Sequence, residues 1–221
     1  VARRTRISDY KGQVTNQILD LDPDFIDDFV DAFRTEGKYP RWGGGSYDYS
    51  FLWEREDHQA LAGRIVLRFS EVDFAGMQVT HSFLSSMFAR HEGKDADGRL
   101  RDRQQAVLTH LVTQYHDDAK VMSVISALFS VLSGERRRSL IETFLQSNRD
   151  FGAFRMLELV PSMTVSWGDG GMVGAHLAKA DFYESLLPLL DAADLLKHKM
   201  YVERQMRYER EYDEREKRRA F

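Results

Sequence analysis

Along residues 99–190 apolar side chains return every three or four positions, the spacing that lines one face of an α-helix, while the strict alternation of a half-buried strand is scarcely present. Val107, Leu108, Leu111 and Tyr115 form one stripe, and Leu140, Ile141, Phe144 and Leu145 form another. Between them residues 119–133 are apolar on nearly every side. A helix of that kind has to be covered from several directions, which places it between other helices. The links His116-Asp117-Asp118 and Ser133-Gly134 are short enough to join antiparallel neighbours. The pattern therefore predicts an all-α fold of stacked antiparallel helical hairpins, an irregular HEAT-like solenoid without a clean repeat period.

Upstream, Asp22 reads as an N-cap with Pro23 at the first helical position, followed by Phe25, Ile26, Phe29, Val30 and Phe33 on one stripe and Gly37 as terminator. Residues 50–70 carry Phe51, Leu52, Leu61, Ile65, Val66 and Phe69 and predict one or two helices; Asp73 is placed to cap a further helix toward His91. The polar run HEGKDADG from His91 to Gly98 divides the chain. The expected organisation is an N-terminal helical block over 1–91 with a glycine hinge at 43–46, a loop over 92–98, stacked hairpins over 99–190 and a long charged helix over 191–221. In that last helix Leu195, Val202 and Met206 form a docking stripe with Tyr201, Tyr208 and Tyr212 beside it, so contact is expected to about Tyr212. Beyond it, acids stand four residues ahead of bases, as in Glu211 with Arg215 and Asp213 with Lys217, a pattern that supports a solvated helix.

The chain has 221 residues, 43% of them hydrophobic, and a net charge of −4 from mixed acids and bases. That is enough apolar material for a core, and it leaves no strong field to hold nucleic acid or an anionic membrane. The absence of cysteine excludes disulfides, thiolate zinc sites and a cysteine nucleophile, and fits a reducing, cytoplasmic setting. The opening Val1-Ala2-Arg3-Arg4-Thr5-Arg6 has neither a signal-peptide pattern nor an apolar run; lacking a methionine, it suggests a piece of a longer polypeptide.

Candidate chemistry is sparse. Trp42-Gly43-Gly44-Gly45-Ser46-Tyr47 lacks the lysine and preceding strand of a phosphate loop and reads as a hinge. The cluster from Gly168 to Gly174 misses the dinucleotide fingerprint at Val173 and reads as a loop. No cofactor is expected. Asp20, Asp22, Asp24, Asp28 and Asp31 have calcium-loop spacing, but Phe25 occupies the position that needs glycine; capping and the helix dipole account for Asp22, Asp24 and Asp28. The order His81, His116-Asp117, then Asp150 or Asp191, resembles HD-type metal phosphohydrolases, in which histidines and aspartates hold a water-activating metal. That alternative assigns His81, His116 and Asp117 to catalysis. Against it, His116 and Asp117 fall in a short turn where Asp117 or Asp118 is needed as an N-cap, so no metal is expected. Trp42 and Tyr47 at the hinge, and Trp167 on the second glycine loop, are the candidate partner-binding residues, because aromatic anchors dominate interfaces.

Two segments, SFLWEREDH at 50–58 and FYESLLPLLDAADLLKHKMYVERQ at 182–205 after the SWGDGG loop, resemble the C-terminal helical region of large bacterial multidomain STAND-type ATPases, some of which act in antiphage defence. The resemblance implies a sensor or scaffold that contacts a protein partner or other domains of its own polypeptide. With no Walker motif in this chain, no catalytic residue carries over.

Overall fold

The computed structural model describes residues 7–36, 50–71, 84–88, 98–153 and 174–220, and among them there is helix and turn but no strand. The helices are α1 (Ile7–Leu21), α2 (Phe25–Glu36), α3 (Ser50–Glu54), α4 (His58–Ser70), α5 (Arg99–Tyr115), α6 (Ala119–Leu128), α7 (Gly134–Ser147), α8 (Ala175–Ala192) and α9 (Leu196–Ala220). Short 3-10 turns follow α6 at Phe129–Val131 and α7 at Phe151–Ala153, and residues 84–88 form a helical turn. The all-α class is as expected from the periodicity. The glycine hinge at 43–46 and the proposed cap Asp73 lie outside the described residues, as does the loop over 92–97.

Ion pairs and hydrogen bonds give the directions of the helices. Asp27 and Asp24 of the α2 region bind Arg64 of α4, while Asp31, one turn further on, binds Arg68, again one turn further on. Partners that advance together mean that α2 and α4 run parallel. The same test pairs Gln105 with Arg136 and the His116 carbonyl with Asn148, so α5 and α7 also run parallel. Gly134 stands against Phe182, and Arg138 donates to the Ser185 carbonyl at 3.1 Å, so α8 continues in that direction beside α7. Helix α7 has α5 and α8 as its main neighbours, and α6 packs on α4 and α5. The reason is the composition of α6. Val121, Met122, Val124, Ile125 and Leu128 are all buried, so the helix is driven into the space between two others.

Local chemistry sets the helix ends. Asp118 accepts from the backbone N–H groups of Lys120 and Val121 at 2.9 and 3.1 Å and caps α6, and Ser133 caps α7 by accepting from Arg136 N–H. At α2 the sequence expectation shifts by two residues. Asp22 accepts from Asp24 N–H in a turn, and the helix begins at Phe25. Asp24, read from the sequence as a capping and dipole residue, and Asp31, read as part of a failed calcium frame, join Asp27 in the ladder to Arg64 and Arg68. Helix α1 was not anticipated. Its Leu19 is buried in the shared core, and Arg55 reaches its Asn16 carbonyl at 3.2 Å and its Asp20 at 2.8 Å while forming a two-pronged contact with Asp57. These carboxylates raise the Arg55 pKa, the Asp57 hydrogen bond contributing most.

The junction of the N-terminal and central helices is Trp53. It is buried, its indole N–H donates to the Met87 carbonyl at 3.0 Å, and its ring meets Phe88 edge-on at 5.3 Å. Gln104 donates to the same Met87 carbonyl at 3.1 Å, and Arg103 donates to the Trp53 carbonyl, so α3, the turn at 84–88 and α5 meet at one side chain. Trp53→Ala should therefore lower stability by about 3–5 kcal/mol in urea unfolding; a loss below about 1 kcal/mol would mean that these elements do not share a core at this point.

Candidate functional site

Of the residues singled out from the sequence, His116, Asp117, Asp150 and Asp191 are among those the structure describes. Trp42, Tyr47, Trp167 and His81 lie outside the described residues. His116 and Asp117 occupy the turn between α5 and α6, with His116 Nδ1 3.1 Å from the Asp117 carboxylate. The Asn148 amide donates to both the His116 carbonyl and Asp117 Oδ1 at 3.0 Å, tying this turn to the end of α7. Asp150 accepts from Gly152 N–H at 3.2 Å, and Asp191, on α8, binds Lys199 at 2.7 Å. Among the described residues no group of three or more His, Asp or Glu side chains is placed to hold a metal ion.

Buried polar groups gather instead between α8 and α9. The two helices are joined by Ala193, Asp194 and Leu195, where Asp194 adopts the left-handed conformation (φ 56°) and the Leu195 N–H reaches back to the Leu190 carbonyl at 2.9 Å. That is a helix-terminating turn usually built with glycine. From there the helices run antiparallel: Lys199 pairs with Asp191, Arg210 with Glu184, Glu209 with His176 and Asp213 with Gly174, so one index rises as the other falls. Tyr183, Leu186, Leu190 and Val202 fill the seam. Burial pushes the Tyr183 hydroxyl up to about 12, so it stays protonated.

At the open end of this hairpin the seam turns polar. Gly174 (φ 86°) stands at the N-cap position of α8, where it has no side chain to cap the helix. Asp213 of α9 supplies what is missing: it is buried, accepts from Gly174 N–H at 2.9 Å and also from the Leu177 N–H, and faces the Lys217 ammonium at 2.8 Å. One helix thus caps the other, satisfying donors that an α-helix leaves open at its first turn. The Lys217 hydrogen bond, followed by the backbone donors, holds the Asp213 carboxyl below the ordinary carboxylate range. Next to it, Glu209 lies 2.5 Å from His176 Nδ1 and 3.8 Å from Lys179, and the Tyr212 ring sits 5.2 Å from that of His176.

The contact expected to about Tyr212 runs to Asp213, with Lys217 pairing to Asp213 from the same helix, and the docking stripe is Leu195, Val202, Met206, Glu209 and Asp213. Tyr201 and Tyr208 are exposed, at 38% and 50%. The signal was present in the spacing, since 202, 206, 209 and 213 follow helical periodicity, but Glu209 and Asp213 are acids in a run of charge and read as solvated.

Facing away from α8, the first half of α9 carries Leu196, Met200 and Tyr208, 65%, 57% and 50% exposed, with Tyr201 alongside. Most other large apolar side chains among the described residues are inside. Comparison with known proteins finds no matching family model, curated protein or solved structure. The site is thus defined by its geometry: a hairpin closed on its inner side by a buried polar seam and open on its outer side as an apolar row.

Asp213→Ala should cost about 1–2 kcal/mol at pH 7, the range of a lost helix cap. Because the folded-state pKa is depressed, the carboxylate's contribution is present above the ordinary aspartate value of about 4 and is lost as pH falls through the lower folded value. Urea unfolding at pH 7 and at decreasing pH should show the gap between the parent and the variant closing only in acid; a gap independent of pH down to complete acid unfolding would contradict the capping role.

Proposed function

We propose that this chain is a non-catalytic helical scaffold or sensor module of a larger cytoplasmic protein, meeting a protein partner or neighbouring domains through the outer face of α9. The observation that carries this reading is the row Leu196, Met200 and Tyr208 with Tyr201, exposed on a helix whose opposite face is already packed. Apolar side chains gathered on one exposed face are a mark of interaction surfaces, and tyrosine is a frequent anchor in them. The parallel runs of α2 with α4 and of α5, α7 and α8 support a stacked, solenoid-like assembly, an architecture suited to extended contact. A role beside a STAND-type ATPase module, of the kind used in antiphage defence, agrees with such a surface. No helix among the described residues is long and apolar enough to cross a membrane.

A photo-crosslinking amino acid placed at Met200 or Tyr208 in the full chain, in its native cell, should give discrete crosslinked products, whereas the same group at Gln114 on α5 or Gln146 on α7 should give few. Equal yields at all four sites, or none at 200 and 208, would contradict an interface on α9.

A further inference from the structure

The outer face of α9 also has a charge pattern that specifies its partner, and the inference rests on the interface proposed above. At about 100° per residue, Leu196, Lys197, Met200, Arg204, Arg207 and Tyr208 fall within an arc of about 120°, opposite the buried Val202, Glu209 and Asp213. Four other cations of α9 have carboxylates: Lys199 has Asp191 at 2.7 Å, Arg210 has Glu184 at 2.8 Å, Arg215 has Glu211 at 3.6 Å and Lys217 has Asp213 at 2.8 Å, while the exposed Arg218 lies beyond the apolar row. Lys197, Arg204 and Arg207 are exposed and have no carboxylate partner among the described residues; Arg207 Nε bonds only the Glu203 carbonyl at 3.4 Å. The apolar row is thus interleaved with three cations lacking counter-charges.

We infer that the surface binds an acidic amphipathic helix of a protein partner, with apolar residues set between Leu196, Met200 and Tyr208 and Asp or Glu residues meeting Lys197, Arg204 and Arg207. Leu196 to Tyr208 spans about 18 Å, some three helical turns, and guanidinium groups favour two-pronged contact with carboxylates. A second copy of this chain fits poorly. An antiparallel copy aligned on the row would set Lys197 against Arg207, and a parallel one would set each cation beside its own counterpart; like charges across an interface are costly. An anionic bilayer also fits poorly. Binding there requires an apolar face that sinks into the headgroup boundary, whereas the main apolar face of α9 is spent on α8 and Arg204 sits between Met200 and Tyr208 in the outer row.

The test is a displayed library of amphipathic helices, apolar on one face and randomised among Glu, Gln and Lys at the flanking positions, selected for binding to the whole chain. Selected helices should be enriched in Glu, should weaken with added NaCl, and should lose about tenfold or more in affinity for an Arg204→Glu, Arg207→Glu variant, with Arg204→Gln, Arg207→Gln intermediate and circular dichroism unchanged in both. Failure to recover binders, recovery of helices without Glu enrichment, or binders indifferent to charge reversal would overturn the inference. So would concentration-dependent dimerisation of the chain alone through this face, or binding to phosphatidylserine vesicles that charge reversal abolishes. If Met200 and Tyr208 still crosslink in the cell while charge reversal leaves those crosslinks unchanged, the interface stands and the acidic partner does not; if neither position crosslinks, the interface itself fails.

Discussion

The contact on which the C-terminal region depends is the seam between α8 and α9. Apolar residues hold the middle of it, and its open end is held by Asp213 capping α8 from the side, with Glu209 between His176 and Lys179. Burying carboxylates is costly unless each oxygen finds a donor or a cation. Here one oxygen of Asp213 accepts from the Gly174 N–H, which the first turn of α8 would otherwise leave open, and the other faces the Lys217 ammonium. The consequence is directional. With one face of α9 committed to α8, its opposite face is fixed in orientation, and the residues on it are presented together.

The helical class and the positions of α4 to α7 follow from apolar spacing alone, and the polar pair before the apolar run of α6 offers Asp117 or Asp118 as its cap, of which Asp118 accepts the backbone N–H groups. What periodicity could not give was pairing between distant segments. The acids at Asp24, Asp27 and Asp31 look like helix-start residues until Arg64 and Arg68 are brought beside them, and Arg55 reaches Asn16 and Asp20 of α1 from 39 and 35 positions away. The same limit explains why Glu209 and Asp213 read as solvent-facing. Their partners lie more than thirty positions away on another helix.

The turn at His116 and Asp117 is accounted for by Asn148 and by the cap at Asp118, which gives those residues work within the fold. Trp42, Tyr47, Trp167 and His81 belong to segments outside the described residues. The surface that carries the functional proposal was half visible in the sequence. In the sequence Tyr201 and Tyr208 form a stripe beside the docking residues; only the position of α8 shows that they and Met200 face outward.

Amide hydrogen exchange along α9 in the isolated chain tests the central claim most directly. If the seam continues to its polar end, amides from Val202 through Asp213 should be protected to an extent comparable with those of α5, with protection falling off only beyond Lys217. Exchange from Arg207 onward at the rate of an unstructured peptide would show a tail that is not docked, and with it the fixed outer face of α9 would be lost.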